Sequence, residues 1–393
     1  MENINLPLRH ERLYCLEWLK VFAILMVFIF HNTHFFDFID WSVKNSSESP
    51  VMMLIFLLIH FWSMPLFFLL AGAGTKFALD SRSKKEYLLE RLKRLLVPFV
   101  IGMILLAPPQ GYVELLSKTN YDGSFWEYYP QFYKDLSYKF SLDAFGDNTY
   151  HLWFLGFLLL FSFIALPFFK CFNANCAKTF IAKIADLCEK KGFLFVFCLP
   201  IIFIHLILRV SFSDYGDWAD LFYWFTYFLY GYILFSSEKF RHAININYKL
   251  ALGITLLCLT GLGCLVLCGQ GVASFEHPSY SLSSVVFMVL YGILTWSWIV
   301  FLLGVGFNLL NFSNKFLKYS GEALLPFYLL HQTIVLLIGY KVVQWEMTII
   351  YKFLIISLLS FFLTVGIYDL FVRRIKIVRV LFGMKIAKSK GLQ

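Results

Sequence analysis

The residues best suited to chemistry lie where a membrane-crossing sequence should carry none. The stretch from Leu13 to Phe36, LYCLEWLKVFAILMVFIFHNTHFF, is long and apolar enough to span a bilayer as one helix, yet it holds Glu17, Lys20, His31 and His34. Lys20 and His31 are eleven residues apart, about three helical turns, so they share one face at depths ~16 Å apart. Glu17 lies one turn below Lys20, within pairing reach. Ionisable groups are costly in hydrocarbon and mark a partner or a wet cavity. A lysine near a helix end can snorkel to the interface. A histidine deeper on the same stripe cannot, and a neutral imidazole there suits general-base work on a hydroxyl.

Other segments offer complementary groups. Arg91 and Arg94 are i, i+3 neighbours before Pro98. Their guanidiniums fit either a forked phosphate site or a cytoplasmic charge anchor. In the run SGEALLPFYLLHQT (320–333), Tyr328 and His331 share a helix face near the middle of an apolar span. His60 fits a helix–helix hydrogen bond as well as a catalytic part. His205 and Arg209 read as interfacial residues, and Asp369 is placed to pair with Lys20, Arg91 or Arg94 at the inner rim. Residues 107–150 read as one long outer loop, acidic on balance and rich in Trp and Tyr. Its rings suit either stacking on sugar faces or anchoring at the bilayer surface.

The elements that must position these groups follow from composition. Of 393 residues, 59% are hydrophobic, 15% are charged and 46 are Phe, which specifies an all-α polytopic membrane protein and excludes a soluble enzyme. Ten spans are expected, at roughly 14–36, 52–73, 93–108, 151–169, 193–212, 218–235, 249–268, 284–310, 323–340 and 348–371. The third is short and interrupted by Pro98. With the N-terminus inside, 27 of the 34 Lys and Arg residues fall on the cytoplasmic side, so both termini are expected there. The net charge of +9 is thus a topology signal and no nucleic-acid patch. The eight cysteines lie in apolar runs or inner loops without metal-ligand spacing, and read as reduced. The first apolar run is too long for a cleavable signal peptide and carries the motif itself. No inverted repeat is visible, and residues 1–393 read as a single domain.

The pattern Leu16-Glu17-Trp18-Leu19-Lys20, ten residues, then His31 resembles the first-helix signature of the membrane acyltransferase-3 family. That family usually shows Leu-Asp-x-x-Arg, ten residues, then His, so Glu17 and Lys20 are departures. The Arg91-x-x-Arg94 pair before Pro98 is similar to a family pair tied to the acyl donor. The strings His151-Leu152-Trp153-Phe154-Leu155 and Pro326-x-Tyr328-x-x-His331 resemble the subgroup that includes the succinyltransferase of osmoregulated periplasmic glucans.

The resemblance implies a transmembrane O-acyltransferase in a bacterial cytoplasmic membrane, with no bound cofactor or metal. It would move an acetyl or succinyl group from cytosolic acyl-CoA, as co-substrate, to a hydroxyl of an extracytoplasmic glycan or glycolipid. Lys20, Arg91 and Arg94 would hold donor phosphates, His31 would act as base, and His331 or Tyr328 would orient it or steady the oxyanion. An acyl-histidine intermediate stays open. The competing readings are a transporter or flippase that couples these charges to protons, and a degenerate family member that senses or scaffolds.

Overall fold

A computed structural model describes residues 13–138, 149–213, 216–271, 274 and 277–385. Among them there is no strand, and eight helices are long and apolar enough to cross a membrane. The first is α1 (Tyr14–Thr33), followed after a folded loop by α2 (Pro50–Ser81). Next, α3 (Lys84–Arg91), a π-helical turn (Leu92–Leu96), α4 (Val97–Leu105) and α5 (Ala107–Lys118) run on as one 35-residue rod. A Ser83–Glu86 capping box starts it.

The weak third span of the sequence is therefore only the apolar middle of a longer rod. Pro98 lacks an N–H and crowds the carbonyl of Arg94, and the widened turn absorbs both defects without ending the helix. The expectation of one long loop over 107–150 is likewise corrected. Ala107–Lys118 extends the rod and α6 (Phe125–Tyr138) packs back on it, while residues 139–148 lie outside those described. Pro108 and Pro109 signal a break by local rules, yet in a first helical turn their missing N–H groups cost nothing.

The chain continues with α7 (Trp153–Phe172) and α8 (Asn175–Cys188). A 3₁₀ turn (Phe193–Phe197) then leads into α9 (Cys198–Leu208), α10 (Trp218–Leu234) and α11 (Glu238–Leu267). Last come α12 (Leu282–Leu309), α13 (Lys315–Val342), α14 (Ile349–Ile367) with a π-helical turn (Tyr368–Val372), and α15 (Lys376–Leu381). Phe193–Leu208 and α10 fall short of the length of the eight spanning helices.

At the centre, α1 packs on α2, α12 and α13, and α2 on α10. Gly72 and Gly231 set that last approach. A Cβ at Gly72 would lie 1.9 Å from the Phe228 carbonyl oxygen, and one at Gly231 would lie 1.9 Å from that of Leu69. Small residues let helix backbones touch where lipid gives no hydrophobic drive between helices. Gly72→Val should therefore separate α2 from α10 and lower the thermal stability of the detergent-solubilised protein. Overpacking of this kind costs typically ~1–3 kcal/mol. Gly74→Ala, which meets open space, should leave the melting temperature unchanged. Equal melting of Gly72→Val and the parent would refute the close-approach account.

Candidate active site

Two polar clusters lie at opposite ends of α1. At its N-terminal end, Lys20 is near enough to Arg91, Glu17 and Arg94 to feel their charges. Arg91 stacks its guanidinium 4.9 Å above the Tyr87 ring and donates to Thr75 Oγ1 at 3.2 Å. Arg94 reaches the Gly383 carbonyl at 3.3 Å and the Glu90 carboxylate at 3.4 Å. The expected donor-site cations are thus brought together. Asp369 is not their partner. It accepts from Tyr319 at 2.9 Å and pairs with Arg373 at 3.4 Å, because the π-helical turn of Tyr368–Val372 sets it beside α13.

At the other end lies a cavity of roughly 700 Å³ lined by residues from most of the central helices. His31 stands on its wall two residues from the end of α1, so it is not mid-helix. It is nonetheless enclosed, because the loop after α1 folds back over it. Within that loop Asn45 N–H donates to Phe35 O at 2.9 Å and Ser49 N–H to Phe36 O at 2.7 Å. Lys352 on α14 pins it by donating to Asn45 Oδ1 at 2.8 Å, and Ser42 Oγ ties it to Glu114 on α5 at 3.1 Å. The loop thereby lays Trp41 against both His31 and His34, with ring centroids 6.1 and 4.9 Å apart.

Three imidazoles meet at this point. The His31 and His331 centroids are 5.3 Å apart, and those of His151 and His331 are 5.5 Å apart. His331 is fully buried, and its Nδ1–H donates to the Tyr328 carbonyl at 2.7 Å, which fixes the tautomer with a lone pair on Nε2. That Nε2 and His31 Nδ1 are both buried without a hydrogen-bond partner. His151 donates Nε2–H to Leu329 O at 3.0 Å and accepts from Gln110 Nε2 at 3.4 Å on Nδ1. Gln110 in turn donates to Thr333 at 3.0 Å. Tyr328, which also lines the cavity, gives its hydroxyl proton to the His151 carbonyl.

A second, unexpected pair stands beside His31. His34 Nδ1 lies 2.8 Å from Asp37 Oδ2 as an ion-pair contact, and Lys44 balances the same carboxylate at 2.8 Å through Oδ1. His34 was visible in the sequence as an ionisable group, but its partner was not. The available signal was the i, i+3 spacing of two polar residues just past a helix end. His60 makes a helix–helix contact, its Nε2 lying 3.4 Å from Tyr291 Oη, and it also lines the cavity. His205 and Arg209 are not interfacial: His205 is buried, and Arg209 is ion-paired with Asp220 on the cavity wall.

A helical frame with an enclosed imidazole cluster facing a cavity, and a cationic cluster at its far end, defines a class of membrane protein built around buried ionisable groups. Comparison with known proteins makes that class specific. The chain belongs to the acyltransferase-3 family, an acyltransferase domain matched over residues 13–373, and is accordingly an acyltransferase. It is similar to the glucans biosynthesis protein C of Escherichia coli (strain K12), at 25% identity over 344 residues that cover 85% of this chain and 84% of that protein. It also resembles the protein of the same name from Salmonella typhimurium (strain LT2), at 23% identity over 338 residues, or 84% of this chain and 83% of that one. No solved structure matches the chain.

Proposed function

We propose that the chain transfers an acyl group, acetyl or succinyl, from a cytosolic acyl-CoA to a hydroxyl of a glycan or glycolipid on the opposite side of a bacterial cytoplasmic membrane. The observation that carries this reading is the position of His31, on the wall of a substrate-sized cavity at one end of α1, with Lys20, Arg91 and Arg94 gathered at the other end. The similarity to two glucans biosynthesis proteins supports a glycan as acceptor. Ten crossings, with both termini in the cytoplasm, are part of this proposal: they require Phe193–Leu208 and α10 to cross beside the eight long helices, and the bias of Lys and Arg toward one side supports that arrangement.

In this reading donor phosphates rest on Arg91, Arg94 and Lys20, and the pantetheine arm follows the face of α1 toward His31. His31 Nδ1 and His331 Nε2 are both buried without a hydrogen-bond partner, so in this reading the His31 imidazole keeps a nitrogen free to act as the base, with the His331 ring packed beside it. His31 takes the proton of the acceptor hydroxyl as its oxygen attacks the thioester carbonyl. The carbon–sulfur bond then breaks, and the imidazolium returns the proton to the departing thiolate. Because Tyr328 and His331 have committed their hydrogens to backbone carbonyls, both orient the base rather than hold the oxyanion.

The deciding experiment uses sealed vesicles holding the purified protein, with acyl-CoA on the face of Lys20 and a glucose oligosaccharide on the other. The oligosaccharide should gain the mass of the acyl group while free CoA accumulates on the donor face. Acyl-CoA that stays intact would overturn the assignment in favour of transport.

A further inference from the structure

Across the cavity from His31, the end of α9 and the start of α10 form a polar wall that the chemistry above leaves unused. Arg209 donates to Asp220 Oδ1, and Asp220 Oδ2 accepts the Gly216 N–H at 3.0 Å. Gly216 has φ 84°, a left-handed conformation that a side chain would resist, so the carboxylate is held by a turn built for it. One turn before Arg209, His205 is 4% exposed and its Nε2 has no hydrogen-bond partner. Its ring packs 4.9 Å from Tyr291 and 5.0 Å from Tyr223. His205, Arg209, Asp220, Tyr223 and Tyr291 all line the cavity that holds His31 and His34.

A buried ion pair is a poor way to join two helices, since apolar residues of similar volume hold as well without the desolvation cost. An unsatisfied imidazole beside it adds a further penalty. Both costs are lifted if a ligand completes the group. The type of ligand follows from charge. Asp220 neutralises Arg209, so a carboxylate or phosphate would be repelled by one partner as it is drawn to the other. A neutral polyol suffers neither effect. Its hydroxyls can donate to the second lone pairs of Asp220 and accept from the remaining guanidinium N–H groups and from His205. The Tyr291 ring beside His205 supplies an apolar face for a sugar ring.

We propose that Arg209, Asp220 and His205 form a saccharide subsite that grips vicinal hydroxyls of the acceptor while a neighbouring hydroxyl is presented to His31. This rests on the glycan reading given above, and two measurements separate their fates. Saccharide binding is read directly from the tryptophan fluorescence of the detergent-solubilised protein, titrated with a glucose pentasaccharide. Transfer kinetics with acyl-CoA are read separately. The double variant Arg209→Met/Asp220→Leu removes both charges together, so neither is left orphaned. His205→Phe keeps an aromatic ring at this position and removes both imidazole nitrogens. The double variant should weaken saccharide binding and raise the acceptor KM tenfold or more, and His205→Phe should do so about threefold, while the KM for acyl-CoA holds. Wild-type saccharide affinity in the double variant overturns the subsite, as does a parent protein that binds free succinate here but no saccharide. If the pentasaccharide binds through these residues yet is never acylated, the subsite stands and the acyl-acceptor assignment falls.

Discussion

His31→Ala should leave a folded protein with essentially no acyl transfer. General-base assistance is typically worth 10²–10⁴ in rate, roughly, and the side chain stands where no other group replaces it directly. His331 is sealed beside it with its Nδ1–H held by a backbone carbonyl, and His151 has both ring nitrogens engaged. The fold should tolerate the change, because the Nδ1 of His31 makes no hydrogen bond that holds a helix and its neighbours are the rings of Phe30, Trp41 and His331. The nearest rival base is His34, whose Nδ1 lies 2.8 Å from the Asp37 carboxylate. The assay is therefore run with His31→Ala, His34→Ala and the double variant, alongside thermal unfolding and acyl-CoA binding. His31→Ala alone should remove the activity while binding and melting stay near the parent. Parental turnover in that variant would move the base to His34.

The parts of this site legible in the sequence are those written within single helices. The Lys20–His31 stripe, the Arg91–Arg94 pair and the Tyr328–His331 pair are spacings of i, i+3 or i+11, and periodicity alone places each on one face. Their convergence was legible only through the family resemblance, since no local rule brings α1 to α13. Contacts between elements distant in sequence were hidden. Arg209 reads as an interfacial residue until α9 and α10 are paired and Asp220 meets it, and His151 meets Gln110 only because the third span continues through Ala107–Lys118. That continuation was missed because hydropathy falls after Leu106 and two prolines follow, both of which mimic a span end. The cover over His31 escaped for another reason. It is a loop, held by backbone hydrogen bonds and by side-chain ties to Lys352 and Glu114, and such tertiary ties leave no periodic trace.

Lys20 poses the sharpest test of the donor end, because the family signature usually has arginine there. Arginine offers a planar fork, lysine a compact charge on a flexible stem. Lys20 does not stand alone: Arg91 and Arg94 lie close enough to act on it electrostatically, and Glu17 offsets part of their repulsion. Three cations gathered at one helix end, against Glu17 beside Lys20 and Glu90 beside Arg94, still leave a net positive charge that favours an anion between them. A phosphate needs the charge first and the fork second, and the neighbouring guanidiniums already supply forks. Lys20→Arg should accordingly keep most of the activity. Lys20→Ala forfeits a charge-assisted contact worth about 1.5–3 kcal/mol, or roughly 10–150-fold in the apparent affinity for acyl-CoA. Lys20→Glu should lose more, since it places a second acid beside Glu17 and repels the donor. Added salt should weaken parental donor binding and matter less in Lys20→Ala. The measurement is transfer rate across a range of acyl-CoA concentrations, with membrane insertion checked for each variant. Were Lys20→Ala to match the parent throughout that range, Lys20 would be an interfacial anchor and the donor phosphates would rest on Arg91 and Arg94 alone.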